Sequence, residues 1–136
     1  MATRNDIVRK AREYYGTPFH HQGRMKHIGV DCIGLLVGVA KELGIMSYDS
    51  TVYARVPEPG ILIQELDSCM DSIPIESALP GDVLVFWMSE GEKRPQHIAI
   101  KTGPDTMIHT FQHVGRVVEH VIDSRWTPKI LSLIHI

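Results

Sequence analysis

Residues 30–44 read VDCIGLLVGVAKELG, and the spacing of their apolar side chains decides the fold. Ile33, Leu35, Leu36, Val37, Val39, Ala40 and Leu43 leave almost no polar face, so the segment reads as a helix buried at the centre of the chain. Asp31 is a good N-cap residue and Gly44 a stop, which predicts a helix from about Asp31 to Leu43. Gly34 and Gly38, four apart, let another backbone approach closely. Cys32 falls in the first turn, among the unpaired N–H groups of the helix start. Partial positive charge there favours thiolate over thiol, and the same N–H groups suit an oxyanion. Two readings of Cys32 stand open: a reactive thiol, or the small buried apolar group that most cysteines are. The polar loop before it, FHHQGRMKHIG, tips the position towards the first.

Working outward, Ile7, Val8, Ala11, Tyr14 and Tyr15 recur at helical spacing between Thr3 and Tyr15. Thr3 with Asp6 resembles a capping box, and Gly16 with Pro18 ends the segment. A third helical pattern, Ile61, Leu62, Leu66, Cys69 and Met70, follows Pro57 and Pro59, and Cys69 reads as a packing residue on its apolar face. After Pro80-Gly81 the period changes. Val83–Trp87, Gln96–Lys101, Thr106–Phe111, Arg116–Val121 and Lys129–Ile136 read as strands. Helices first and strands second predict an α+β fold, the buried helix packed on a C-terminal antiparallel sheet of about five strands. With 136 residues and no repeat or linker, a single domain over 1–136 is expected.

Composition narrows the function classes. Apolar residues make up 43% of the chain, enough for a real core, so wholesale disorder is excluded. The net charge of −2, without a basic stripe, predicts no nucleic-acid partner. No apolar run approaches the roughly 18 residues that span a bilayer. The opening residues carry charges where a secretory signal needs an apolar run, so synthesis in a bacterial cytoplasm without a signal peptide is expected. Two cysteines are too few for a disulfide scaffold.

Gln96–Lys101 and Thr106–Phe111 flank Thr102-Gly103-Pro104, a length suited to a hairpin. Pairing Lys101 with Asp105 sets Ala99 opposite Met107 and His97 opposite His109. Alternation then puts both imidazoles on one face and Ile98, Ile100 and Ile108 on the other. One histidine can take the thiol proton while the other bonds its second ring nitrogen and fixes the tautomer. A lone histidine is more often a satisfied core or surface residue; two on one face of an apolar hairpin favour chemistry. A slip of one residue would part them. His20, His21, His27 and Cys32 are zinc-ligand types, but their spacing matches no closed pattern, and no metal is expected.

Five pieces in order, Tyr15-Gly16-Thr17-Pro18-Phe19, Val30-Asp31-Cys32-Ile33-Gly34-Leu35, Leu79-Pro80-Gly81-Asp82-Val83, His97-Ile98-Ala99-Ile100 and Ile108-His109-Thr110, resemble the NlpC-type family of papain-like cell-wall cysteine peptidases. The resemblance implies a papain-like fold with Cys32 as nucleophile, His97 as general base and His109 orienting the base. It implies Phe19, His21 and Asp31 at the substrate pocket, and no metal or organic cofactor. It implies cleavage of peptidoglycan stem peptides at the D-γ-glutamyl–diamino acid bond. Ile33 stands where the family usually has Ser, and His21 where an aromatic is usual. Arg24 and Lys26 read as solvated loop charges or as contacts to substrate carboxylates. The compact size and Arg116-Val117-Val118-Glu119-His120, with Trp126, look most like a branch found in phage tail clusters. That likeness implies a virion location at the tail tip, with tail hub or tail-tip proteins as partners. Two other classes stay open: another thiol amidase or acyltransferase, and a structural tail-tip assembly or plug protein with a vestigial or blocked site.

Overall fold

Thr3 caps the first helix, α1 (Arg4–Arg12), in both directions: its N–H donates to Asp6 Oδ2 (2.9 Å) and its Oγ1 accepts from the Asp6 N–H (3.2 Å). Ile7, Val8, Ala11 and Tyr14 are buried, as their period requires, whereas Tyr15 is 60% exposed because the chain leaves the helix after Arg12. The computed structural model describes residues 2–45, 71–73, 75–89, 91 and 95–135. The segment expected to be a plain loop holds a short antiparallel hairpin, β1 (Arg24–Met25) and β2 (Gly29–Val30).

The central helix α2 (Cys32–Glu42) begins one residue later, with Asp31 accepting from the Gly34 N–H at 2.7 Å. Ile33, Leu35, Leu36, Val37, Val39 and Ala40 are all buried. Each of these Val, Leu and Ile side chains contributes about 1.5–3 kcal/mol through burial. A Cβ on Gly34 would lie 2.0 Å from the Gly23 carbonyl oxygen, so backbone does pack against this residue. Gly38 instead meets a side chain, the Tyr14 hydroxyl.

Six strands follow: β3 (Asp71–Ile73), β4 (Val83–Phe86), β5 (His97–Lys101), β6 (Thr106–His109), β7 (Val118–Val121) and β8 (Ile130–His135). They form one antiparallel sheet in the order β3-β8-β4-β5-β6-β7. The five expected strands are present, and β3 adds a sixth at the edge beside β8. The helical pattern from Ile61 to Met70, Cys69 included, lies outside the described residues. One sheet face, with Val83, Val85, Ile98, Ile100 and Ile108, packs on α1 and α2; the other gathers Leu84, Phe86, Ala99, Met107 and Leu133 with Trp126 and Ile130. Asp82, fully buried, accepts from the Leu79 N–H (2.8 Å) and from the Arg4 guanidinium, which ties the start of α1 to the start of β4. No helix among the described residues is long and apolar enough to cross a membrane.

The β5–β6 register corrects the expected one. Lys101 pairs with Met107 and Ile100 with Ile108, two residues from the anticipated match. Thr102 and Thr106 close the turn, with their hydroxyls 2.8 Å apart and the Thr102 N–H on the Thr106 carbonyl, so the loop is Gly103–Asp105. An even shift leaves every side chain on its face. His97 and His109 therefore meet diagonally instead of directly opposite.

Candidate active site

Because α2 starts directly after β2, Cys32 is its first helical residue, 9% exposed. The N–H groups of Cys32, Ile33 and Ile98 all act on its sulfur. Ile98 follows His97 on β5, so the thiol rests against the strand end that carries this imidazole. The N–H groups draw the thiol pKa down, as the helix start predicts. Burial and the Asp31 carboxylate outweigh them and push it up to about 12. The expected thiolate is thus a neutral thiol in the resting protein.

His97, first in β5, and His109, last in β6, are 2% and 0% exposed, and His97 Nε2 lies 2.7 Å from His109 Nδ1. Burial pushes His97 down to about 3. Burial, then the neighbouring His97 and His120, push His109 down to about 2. Both rings are neutral at neutral pH.

A third ring extends the pair. His120 stands on β7 opposite Met107, hence on the same face as His109. His109 Nε2 lies 2.7 Å from His120 Nε2, and His120 Nδ1 lies 2.8 Å from the Val121 carbonyl oxygen. Trp126 covers the row, with ring centroids 6.0 Å from His97, 5.0 Å from His109 and 6.0 Å from His120. Sequence reasoning noted His120 and Trp126 only within the resemblance and assigned them no part in the site. The signal was alternation on β7, readable only once its register against β6 is known. The rings run in series, each nitrogen facing the next, and do not converge on a point where an ion would sit. Among the described residues no group of three or more His, Cys, Asp or Glu side chains is arranged to hold a metal.

The other expected site residues fall into different settings. Phe19 is half-buried and bridges Val30, its N–H bonded to the Gly115 carbonyl at 2.9 Å. His21 is exposed and lines a cavity of about 330 Å³ with His20, Gln22, Arg24, Met25 and Ile28. Asp31 is only 5% exposed: it accepts from the N–H groups of Gly34 (2.7 Å) and Gln22 (2.9 Å) and pairs with Arg24 (3.2 Å), tying the preceding loop to the helix start. Lys26 bridges Glu13 (2.7 Å) and Glu42 (2.8 Å). Arg24 and Lys26 are therefore bound into the scaffold and are not solvated loop charges. Ile33, where a hydroxyl residue is usual in the resembled family, is wholly inside the core.

A cysteine opening a buried helix, packed on an antiparallel sheet that carries a histidine pair, defines a papain-like α+β fold. The NlpC/P60 family model matches residues 16–135, and the chain belongs to that family. Comparison with curated proteins returned no match. Among solved structures, the chain is similar to the NlpC/p60 domain of the peptidoglycan hydrolase SagA, with 24% identity and a TM-score of 0.68 over 99% of this chain and 100% of that one. It is similar to NlpC2 from Trichomonas vaginalis, at 16% identity and a TM-score of 0.77 over 99% of this chain, and spans 47% of that protein. It is also similar to RipD from Mycobacterium tuberculosis, a non-catalytic NlpC/p60 domain protein adapted to peptidoglycan binding, at 15% identity and a TM-score of 0.67 over 100% of this chain and 99% of that one. At these identities the likeness speaks for the fold.

Proposed function

We propose that the protein is a cysteine peptidase that hydrolyses peptidoglycan stem peptides at the D-γ-glutamyl–diamino acid bond. Cys32 is the nucleophile, His97 the general base, and His109 holds the base in orientation. The observation that carries this reading is the 2.7 Å His97–His109 bond at the strand end against which the Cys32 thiol rests. Membership of the NlpC/P60 family, and a similar domain from a peptidoglycan hydrolase, support the substrate class.

Because thiol and imidazole are both neutral at rest, proton transfer accompanies attack. The sulfur adds to the carbonyl carbon as His97 takes its proton, and the carbonyl oxygen becomes an oxyanion that the Cys32 N–H meets. Collapse breaks the C–N bond, and the imidazolium gives its proton to the leaving amine. Water, deprotonated by His97, then hydrolyses the thioester and frees the thiol. Phe19 and His21, on the loop ahead of α2, contact the substrate, whereas Asp31 shapes that loop from within. The setting we propose is the virion, at a phage tail tip, with tail hub or tail-tip proteins as neighbours.

The test is turnover of purified stem peptides and cell-wall material by the wild-type protein and by Cys32→Ala. Loss of the new amine and carboxylate products in the variant supports the assignment; retained turnover refutes it. Mass spectrometry of the products separates hydrolysis from acyl transfer. One observation favours a second reading, a wall-binding or tail-tip structural protein without turnover: the thiol is buried and pushed up to about 12. Binding of cell-wall material with no product from the wild type would select it.

A further inference from the structure

The proposed catalysis employs Cys32, His97 and His109 and leaves His120 without a task. The hydrogens along the three rings follow from the far end. The Val121 carbonyl can only accept, so His120 Nδ1, 2.8 Å away, carries a hydrogen. As a neutral imidazole His120 has no second N–H: its Nε2 is then a lone pair, and His109 Nε2–H donates to it across 2.7 Å. His109 Nδ1 is then the acceptor for His97 Nε2–H, again at 2.7 Å. The remaining lone pair of His97 is confined to Nδ1.

We infer that His120, anchored on the Val121 carbonyl, is a positioning residue that sets the tautomer of the whole imidazole row and leaves His97 Nδ1 as the base. The consequence for turnover rests on the catalytic reading proposed above; the tautomer assignment stands apart from it. Two histidines alone are degenerate. The same 2.7 Å contact is satisfied with His97 donating or with His109 donating, and in the second state the His97 proton sits on Nδ1, where it blocks the base. A carbonyl cannot donate, so ending the row on one removes the degeneracy. With His120 in place, water does not reach His97 and His109, which are 2% and 0% exposed beneath Trp126 and Phe111. Asp123, which lies near His120, is held by Arg125 at 2.8 Å. His120 lines a cavity of about 620 Å³ with Phe111, Trp126, Asp123, Arg125 and Lys129, space that admits a free imidazole where its ring is removed.

Long-range ¹H–¹⁵N correlation spectra of ¹⁵N-histidine-labelled full-length protein test this directly. The expected result is Nε2–H at His97 and His109 and Nδ1–H at His120. In His120→Leu, His97 gains Nδ1–H population, and kcat falls about 10- to 100-fold with KM little changed. His120→Gln, which keeps an acceptor oxygen, recovers most of the rate, and added imidazole restores part of the rate to His120→Ala. An Nδ1–H tautomer at His97 in the wild type, or an unchanged His97 tautomer in His120→Leu, overturns the proposal. The wild-type spectrum decides the tautomer assignment even where a variant fails to fold or the protein turns over no stem peptide.

Discussion

The Asp31 carboxylate opposes, by its charge, the ionisation of the adjacent Cys32 thiol that the N–H groups of the helix start favour. The chain thus places the carboxylate that caps α2 next to the thiol whose ionisation it restrains. Asparagine caps helices as well as aspartate does, so Asp31→Asn removes the charge and keeps an acceptor for the Gly34 N–H. The expected outcome is faster alkylation of Cys32 by iodoacetamide at any given pH. In the wild type the rate should climb about tenfold per pH unit from 7 to 10, since the thiol is pushed up to about 12. Peptide mapping by mass spectrometry resolves Cys32 from Cys69. A wild-type plateau near neutral pH would contradict the neutral-thiol resting state.

On the proposed mechanism, replacing His97 with Ala removes the general base but leaves Cys32 and the loop before α2 in place. Positioned general bases contribute about 10²–10⁴ in rate, so kcat should fall by that factor while KM changes little. Initial rates on a purified stem peptide measure both. Equal loss from KM alone would move His97 from proton transfer to substrate binding.

The parts legible in the sequence are those where one physical demand dominates. A segment apolar on nearly every side, such as Ile33–Ala40, has only the interior to occupy, and that part of α2 lies there. The Thr3–Asp6 cap needs only residues three apart. The β5–β6 register was two residues off because the turn is closed by the Thr102–Thr106 pair, a choice that local spacing does not disclose. The pairing of faces survived because the error was even. The His120 link was illegible because it depends on which strand lies beyond β6 and in what register. The raised thiol pKa depends on burial depth, which a helix-start argument does not contain.

Acid should loosen the fold before carboxylates titrate. His97 is lowered from 6.5 to about 3 and His109 from 6.5 to about 2, both chiefly by burial. The folded state therefore refuses protons that the unfolded chain accepts below about pH 6.5. This contribution to stability is present above that pH and is lost as pH falls towards the folded values. The slope approaches about 1.4 kcal/mol per pH unit for each proton refused. Thermal unfolding followed between pH 7.5 and 5 should show Tm decreasing through this window. A flat Tm from 7.5 to 5 would show that the imidazoles are not held neutral.

Gly34 and Gly38 share a helix and a spacing but face different neighbours, and alanine at the two should behave differently. At Gly34 the new Cβ would fall 2.0 Å from the Gly23 carbonyl oxygen and 3.1 Å from its carbon. Backbone cannot swing aside, so α2 and the loop holding His20, His21 and Arg24 must separate. Forcing extra volume into a packed interior costs about 1–3 kcal/mol. At Gly38 the obstacle is the Tyr14 hydroxyl, the far end of a side chain bonded to Glu42 at 2.7 Å. That ring can shift, and alanine in a helix interior gains back about 0.5–1 kcal/mol over glycine. Denaturant unfolding should therefore find Gly34→Ala clearly the less stable of the two. Gly34→Ala should also lose turnover out of proportion to the fraction unfolded, because the displaced loop precedes Cys32. Equal stabilities for the two variants would mean that α2 and residues 20–24 are not packed backbone to backbone.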